Sequence, residues 1–264
     1  MNGEDSYRDL MRCYLESPHP SFKVTNYFQI YSELFSHLRG LDCTFIETGI
    51  SNGGSLFMWR KWLGEKARII GVDLNPGAKK WEDFGFEIHI GDQGDPLFWQ
   101  KFFAKIGQFD VLLDDGGHQS FQQIVTLTEA MKVAKNKCII AIEDTCTSFF
   151  KEFSGHREHS FLEYAKDSTD SLLAKTSDFF PGQFPPIGNP KIEKQFSSIY
   201  SVQFYSGLVA YKIDPIALER PNLIWNKNPE SIETDFRYNG VSSARVDWPN
   251  LFTEQTIVVK GGAG

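Results

Sequence analysis

Five short apolar runs in this chain end on acids: Glu47-Thr48-Gly49, Gly71-Val72-Asp73, Gly91-Asp92-Gln93, Asp114-Asp115-Gly116-Gly117-His118 and Glu143-Asp144-Thr145. A carboxylate accepts hydrogen bonds from sugar hydroxyls, binds hard cations and repels phosphate, so each position favours a different chemistry. The first acid leads into Gly49, Gly53, Gly54 and Ser55, a turn in which backbone can approach a ligand at the start of a helix. Asp73 lies 20 residues beyond Gly53, the spacing of an acid that takes ribose hydroxyls. Together these residues predict a site for a nucleoside-containing cofactor.

Which nucleoside follows from charge. The dinucleotide fingerprint G-x-G-x-x-G is not met, because Ser51 stands at its second glycine. Glu47 precedes the turn by two residues, where it would repel a pyrophosphate and suit a cationic amino-acid group. S-adenosylmethionine carries a sulfonium, an ammonium and a ribose, and no phosphate. A strand-turn-helix with packing glycines accounts for the loop alone, but not for the loop with Asp73 and Asp92.

Asp115, Glu143 and Asp144 end two sequential strands separated by one helix, which are neighbours in a doubly wound sheet. Three converging carboxylates without a visible basic partner repel, so one is protonated or a cation sits among them. All-oxygen ligands favour Mg²⁺ or Mn²⁺, whereas Zn²⁺ would draw on His or Cys, and only His118 is close. A neutral His118 beside a bound cation is suited to accept a proton. The bland reading is a set of helix caps, exposed acids and a structural histidine. His156, Arg157 and His159 read as a solvated polar run, and Trp59, Trp62 and Trp99 as packing groups.

The elements that must position these residues follow from periodicity. Strand-like runs at 43–48, 68–73, 86–90, 109–113 and 138–142 alternate with amphipathic stretches at 54–63, 95–106 and 120–134. That alternation predicts an α/β layer fold with a mainly parallel sheet. Residues 27–38 carry helical spacing ended by Gly40, and residues 1–25 read as a loose arm or a short helix. Residues 150–196 break the rhythm and are read as a lid insertion with a helix near 160–175. Residues 197–213 read as an antiparallel hairpin turning at Ser206-Gly207, and the tail to 264 shows little periodicity. The whole is expected to be one domain: a helical segment 1–40, a site-bearing core 41–149, the insertion 150–196, and the hairpin and tail 197–264.

Composition narrows the classes. The chain has 264 residues, of which 41% are hydrophobic and 23 are Phe, enough core material to exclude wholesale disorder. A net charge of -7 argues against nucleic acid and anionic membrane as partners. Cys13, Cys43, Cys138 and Cys146 show no CxxC spacing, and the polar start does not read as a signal peptide. A cytoplasmic protein without disulfides is expected, with homo-oligomer formation left open.

The motifs ETGISNGGS, GVD, GDQ, DDGGH and EDTCTS resemble those of class I S-adenosylmethionine-dependent methyltransferases. More narrowly, they are similar to the metal-dependent sugar O-methyltransferases of macrolide biosynthesis, the mycinamicin type. The likeness covers about residues 43–150; Gly117 departs from the pattern, which has Ser there. It implies a Rossmann-like methyltransferase fold that moves the methyl of S-adenosylmethionine to a hydroxyl of a glycoside or other vicinal diol. By the same likeness Glu47, Gly49, Gly53 and Ser55 line the methionine side of the cofactor, Asp73 holds the ribose, and Asp92 and Gln93 flank the adenine, with Asp114 beside them. Asp115, Glu143 and Asp144 hold Mg²⁺, and His118 is the general base. Transfer to nitrogen, a metal-dependent hydroxylase and a non-catalytic nucleotide-binding protein are the alternatives.

Overall fold

Successive residues of a strand point to opposite faces, and here both faces are apolar. Phe45, Ile69, Val111 and Ile139 enter one core with helices from the first half of the chain. Their neighbours Ile46, Ile70, Leu112 and Ile140 enter a second core with helices from later in the chain. A sheet buried on both sides between two helical layers follows from that pattern.

The computed structural model describes residues 3–174 and 193–214. Among them seven strands form one sheet: β1 (Thr44–Thr48), β2 (Arg68–Asp73), β3 (Glu87–Ile90), β4 (Val111–Asp114), β5 (Cys138–Ile142), β6 (Ile199–Tyr205) and β7 (Leu208–Ile213). Their spatial order is β3-β2-β1-β4-β5-β7-β6. The first five are parallel, and β7 runs antiparallel to both β5 and β6. The helices are α1 (Gly3–Leu15), α2 (Tyr27–Phe35), α3 (Gly54–Leu63), α4 (Pro96–Ile106), α5 (Ser120–Val133), α6 (Lys151–Ser154) and α7 (Phe161–Ala174). Each expected strand and helix up to residue 174 is present within a few positions, and the hairpin turns at Ser206-Gly207. Of residues 3–25, Gly3–Leu15 form α1 and the rest has no regular secondary structure. The remainder of the expected insertion (175–192) and of the tail (215–264) lies outside the described residues. Among the described residues, no helix is long and apolar enough to cross a membrane.

Local chemistry sets the boundaries that matter for the site. Asp95 caps α4, its side chain accepting from Leu97 N at 2.9 Å, with Pro96 at the first helical position. Gln119 and Gln122 form a reciprocal capping box at the start of α5. Trp59, Trp62 and Trp99 are buried packing groups, as expected, and so are Cys43 and Cys138.

The chain leaves β1 toward β2 and β3 on one side, then returns to β4 and β5 on the other. A crevice therefore opens beyond the carboxyl ends of β1 and β4, where open α/β sheets bind ligands. At its base the glycine turn packs onto the end of β4. Gly49 has φ +82°, and a Cβ there would lie 2.1 Å from the Asp115 carbonyl oxygen. Gly49→Ala is expected to destabilise the protein by about 2 kcal/mol or more through the left-handed backbone alone. Thermal denaturation should show the midpoint lowered by about 5 °C or more.

Candidate functional site

Two adjoining hollows follow the strand ends. The first, about 360 Å³, is lined by Thr48, Gly49, Asp73, Asp92, Gln93 and Gly116, among others. The second, about 400 Å³, lies between the glycine turn, Ser55, Asp115 and His118 on one side and residues 20–23 on the other. Gly49, Ser51, Asp115 and Gly116 belong to both, so the two form one groove.

In the first hollow Asp73 holds the glycine turn as well as facing the groove. Its Oδ2 accepts from Ile50 N at 3.1 Å and Ser51 N at 3.0 Å, and its Oδ1 from Asn75 N at 2.8 Å. Asp92 Oδ1 accepts from Gly94 N at 2.7 Å. Gln93 donates through Nε2 to Asp114 at 2.9 Å and accepts from Gly117 N at 2.8 Å, which ties the β3 end to the β4 turn. Asp114 is buried beneath this bridge, outside the lining of either hollow, and burial raises its carboxyl above the ordinary range. Gly53 also turns away from the groove: a Cβ there would meet the Trp81 ring at 2.5 Å.

At the far end, Asp115, His118 and Asp144 bring one ligand atom each to within 4.8 Å of one another. His118 Nε2 lies 3.5 Å from Asp144 Oδ2, and His118 Nδ1 is buried with no hydrogen-bond partner. Thr147 Oγ1 donates to the His118 carbonyl at 3.0 Å and fixes the turn. Ser51 (φ 41°), His118 (φ 57°) and Asp144 (φ 52°) all adopt the left-handed backbone. Only one other non-glycine among the described residues, Lys137, does so. Such conformations cost free energy and concentrate where a side chain has been aimed.

The structure does not bring Glu143 into that cluster. Glu143 and Asp144 are adjacent at the end of β5, and they point to different places. Glu143 is buried and accepts a hydrogen bond from Tyr31 Oη, while the Asp144 side chain stays 31% exposed and accepts from Tyr27 Oη at 2.7 Å. Glu47 is likewise wholly buried, with Ser55 Oγ donating to its Oε2 at 2.7 Å.

The expectation that the acids lack a basic partner is overturned by Lys23. Its Nζ lies 2.6 Å from Asp115 Oδ2, 3.3 Å from Glu47 Oε1 and 3.3 Å from Glu143 Oε1, with the side chain only 2% exposed. Burial alone would lower the lysine's pKa, but Asp115 first and Glu143 next attract its charge, and the net effect is well upward. Burial drives Glu143 well above the ordinary carboxylate range, against the pull of Lys23. Glu47 is raised for the same reason. Lys23 is thus the resident cation, set among two acids that burial shifts upward and the less buried Asp115. Lys23 sits between α1 and α2, 92 residues from Asp115 and 120 from Glu143. No periodicity marks it; its only sequence signal is a lone lysine in a polar segment before α2.

No family model matches the chain. It is 26% identical over 194 residues to the 8-demethyl-8-alpha-L-rhamnosyl tetracenomycin-C 2'-O-methyltransferase of Streptomyces olivaceus, covering 70% of this chain and 49% of that protein. It is 31% identical over 135 residues to the corresponding 3'-O-methyltransferase for the 2-methoxyrhamnosyl compound from the same organism, covering 48% of this chain and 34% of that protein. The chain spans about half or less of the length of these curated relatives. Among solved structures it is similar to MycE methyltransferase from the mycinamycin biosynthetic pathway in complex with Mg, SAH and mycinamycin VI. That likeness has a TM-score of 0.67 and 19% identity over 88% of this chain and 58% of the other. It establishes the fold as the one expected from the sequence.

Replacing Lys23 by Met would leave the buried Glu47 and Glu143, and the partly exposed Asp115, without their counter-charge. Removing one partner of a buried ion pair costs about 3–5 kcal/mol, and chemical denaturation of Lys23→Met should show a loss of that order. The pH dependence has a definite sign. Acids whose folded pKa lies above the ordinary value of 4.5 bind more protons in the folded state. Stability therefore falls as pH rises above that value. Losing Lys23 raises the folded values further, so the melting temperature of Lys23→Met should fall more steeply than that of wild type as pH rises above the ordinary carboxylate range.

Proposed function

We propose that this chain is an S-adenosylmethionine-dependent O-methyltransferase acting on a hydroxyl of a glycoside or similar vicinal diol, with Mg²⁺ or Mn²⁺ as its metal. The observation that carries the reading is the groove itself. Asp73 and Asp92 line one end, and Asp115, His118 and Asp144 converge at the other. The curated relatives are named as methyltransferases of sugar hydroxyls on polyketide glycosides, and the similar solved structure holds Mg and SAH.

The residues fit both groups. Asp115 and Asp144 offer the hard oxygen donors that Mg²⁺ prefers, beside a buried His118 Nδ1 that has no partner. A 2-His-1-carboxylate oxygenase site would need a second histidine, which the cluster lacks among the described residues. Glu143 turns inward to Tyr31 and Lys23 rather than joining Asp144, so we assign the metal to Asp115 and Asp144 and a neighbouring role to Glu143. On the cofactor side, Asp73 and Asp92 are the acceptors for ribose and adenine edges. Gly49 allows close backbone approach, and Ser55 braces Glu47 behind the turn.

When bound, the divalent ion would hold the acceptor hydroxyl and lower its pKa, and the cofactor would present an electrophilic methyl group. The chain's own residues do the rest. Asp115 and Asp144 orient the site, their backbones set by the β4 and β5 ends. His118 accepts the hydroxyl proton at Nε2 as the new O–C bond forms and the S–C bond breaks. Thr147 keeps the His118 turn in place through its carbonyl. The glycine turn and the Asp73 hydrogen bonds keep the groove preorganised for orientation.

S-adenosylhomocysteine at 100 times its dissociation constant should stabilise the protein by about 2.7 kcal/mol. Calorimetry that finds tight NAD binding and no S-adenosylhomocysteine binding would overturn the assignment. Asp73→Ala should weaken that binding, because two ribose hydroxyls lose a charged acceptor. Asp144→Asn should lose Mn²⁺ affinity, read by electron paramagnetic resonance, and spare cofactor binding. With a rhamnoside panel as acceptors, EDTA should stop methyl transfer and Mg²⁺ restore it. Transfer to an amine that survives chelation would favour N-methylation instead. His118→Ala should lower the turnover number by about 10² to 10⁴-fold at saturating cofactor and Mg²⁺. A rise in KM with an unchanged turnover number would remove the histidine from proton transfer.

A further inference from the structure

Two tyrosines one helical turn apart on α2 meet the two adjacent acids that end β5. Tyr31 Oη donates to Glu143, and Tyr27 Oη donates to Asp144 Oδ1 at 2.7 Å. Positions i and i+4 share one helix face, and here the two rings lie 6.1 Å apart. The Tyr31 contact belongs to the buried charges around Lys23. The Tyr27 contact serves the candidate metal cluster instead, because Asp144 belongs to it.

Tyr27 is buried, and its hydroxyl is held in place from several sides. It lies 2.9 Å from the Gly207 carbonyl at the β6–β7 turn and accepts from the Asp144 backbone N–H at 3.2 Å. A phenol has one proton to give. The Gly207 carbonyl already accepts from Thr145 N at 3.0 Å, and a charged acceptor makes the stronger bond, so the proton goes to the carboxylate. The turn is itself tied to α2 near both of its ends. Asn26 Nδ2 donates to the Ser206 carbonyl at 2.8 Å, and Tyr205 Oη donates to Glu33 Oε1 at 2.7 Å. Gly207 sets how close the turn comes: its φ is +85°, and a Cβ there would lie 2.6 Å from Tyr27 Oη.

The two carboxylate oxygens of Asp144 are therefore divided. Oδ1 is engaged by Tyr27, and Oδ2 lies 3.5 Å from His118 Nε2. A carboxylate with one oxygen engaged offers a metal the other. That division bears on which ion is held. Mg²⁺ demands a near-ideal octahedron, whereas Ca²⁺ accepts about six to eight oxygens and takes both oxygens of one carboxylate readily.

We propose that Tyr27 is a positioning residue for the metal, which engages one oxygen of Asp144 and so makes that carboxylate a one-oxygen donor that favours a small octahedral ion over Ca²⁺. The inference rests on the metal assignment in the methyltransferase reading above. It adds to that reading a selection among ions, exercised from α2 and the β6–β7 turn.

The ratio of Mn²⁺ to Ca²⁺ affinity tests it. Mn²⁺ binding is read by electron paramagnetic resonance, and Ca²⁺ binding by its displacement of Mn²⁺. The proteins are wild type, Tyr27→Phe, Gly207→Ala and Tyr205→Phe, each held below its own melting temperature. Tyr27→Phe keeps the ring and loses the hydroxyl. It should weaken Mn²⁺ about tenfold, as removal of a group that orients a metal ligand does, and Ca²⁺ by less than about twofold. Gly207→Ala crowds the hydroxyl aside without removing it, and should lower the ratio in the same direction. Tyr205→Phe loses a bond between the same turn and α2 but none to Asp144, and should leave the ratio unchanged. S-adenosylhomocysteine binding, by calorimetry, should stay within about twofold of wild type throughout. A general loosening of the fold weakens both ions alike, so an unchanged ratio in Tyr27→Phe would overturn the role of Tyr27 and leave the methyltransferase reading intact. If Tyr27→Phe does not fold, the same outcome in Gly207→Ala decides. An equal fall of the ratio in Tyr205→Phe, or a loss of S-adenosylhomocysteine binding equal to that of Mn²⁺, would overturn it too. A wild-type protein that binds S-adenosylhomocysteine and neither ion would overturn this proposal together with the metal assignment, and one that binds none of the three would overturn the whole reading.

Discussion

One buried ammonium organises the site. Lys23 lies among Glu47 from β1, Asp115 after β4 and Glu143 after β5, and so adds a charged tie to three strand ends whose backbones are already joined, Asp115 N donating to the Thr48 carbonyl and Glu143 N to the Asp114 carbonyl. Three carboxylates in so little space could not remain together on packing alone. Their mutual repulsion is offset by one opposite charge, while burial shifts Glu143 upward against the pull of that charge. Tyr31 completes the arrangement from α2. It donates to Glu143, and burial and that neighbouring charge together push its own hydroxyl well above the ordinary range, so it remains a donor. The N-terminal helices are therefore part of the site's foundation, although none of the motif residues lies in them.

The division of the acids follows from this. A strand sends successive side chains in opposite directions, and Glu143 and Asp144 stand at a strand's last step. One side chain goes under the sheet end to Lys23 and Tyr31, and the other goes out to His118. Asp144 reaches that position only through a left-handed backbone, and His118 does the same from the β4 turn. The cost of those two conformations is met by local bonds: Thr147 N and Oγ1 both bond to the Asp144 carbonyl, and Thr147 Oγ1 also reaches the His118 carbonyl. The cluster of two carboxylates and one imidazole is thus held by backbone strain and a threonine, while the buried acids are held by charge.

Much of this was legible in the sequence because it is local. Periodicity placed the five parallel strands, the helices between them and the hairpin, since each depends on neighbours within a few residues. The acids that follow the strands were legible for the same reason: topology carries every parallel strand's carboxyl end to one edge. Lys23 was not, because its three partners are 24, 92 and 120 residues away and nothing near it repeats. Without the lysine, Glu47, Asp115 and Glu143 read as one exposed rim. With it, Glu47 and Glu143 become an interior, and Asp115 alone belongs to both the interior and the groove.

Asp115 is consequently the residue through which the foundation and the groove communicate. Its Oδ2 is held by Lys23, its backbone carbonyl presses on Gly49, and its side chain contributes to the cluster with His118 and Asp144. A shift of residues 20–23 that moves Lys23 must move Asp115 or loosen its ion pair, and a shift of Asp115 must disturb the glycine turn against which its carbonyl packs. Asp73 closes the loop from the other side, because the same carboxylate that faces the groove ties down Ile50 and Ser51. The two hollows are in this way two faces of one turn, about which residues 20–23, the β4 end and the β2 end are each fixed by a charged group. Preorganisation of that kind is what a single in-line displacement requires, since the reacting atoms must already be aligned when the proton leaves.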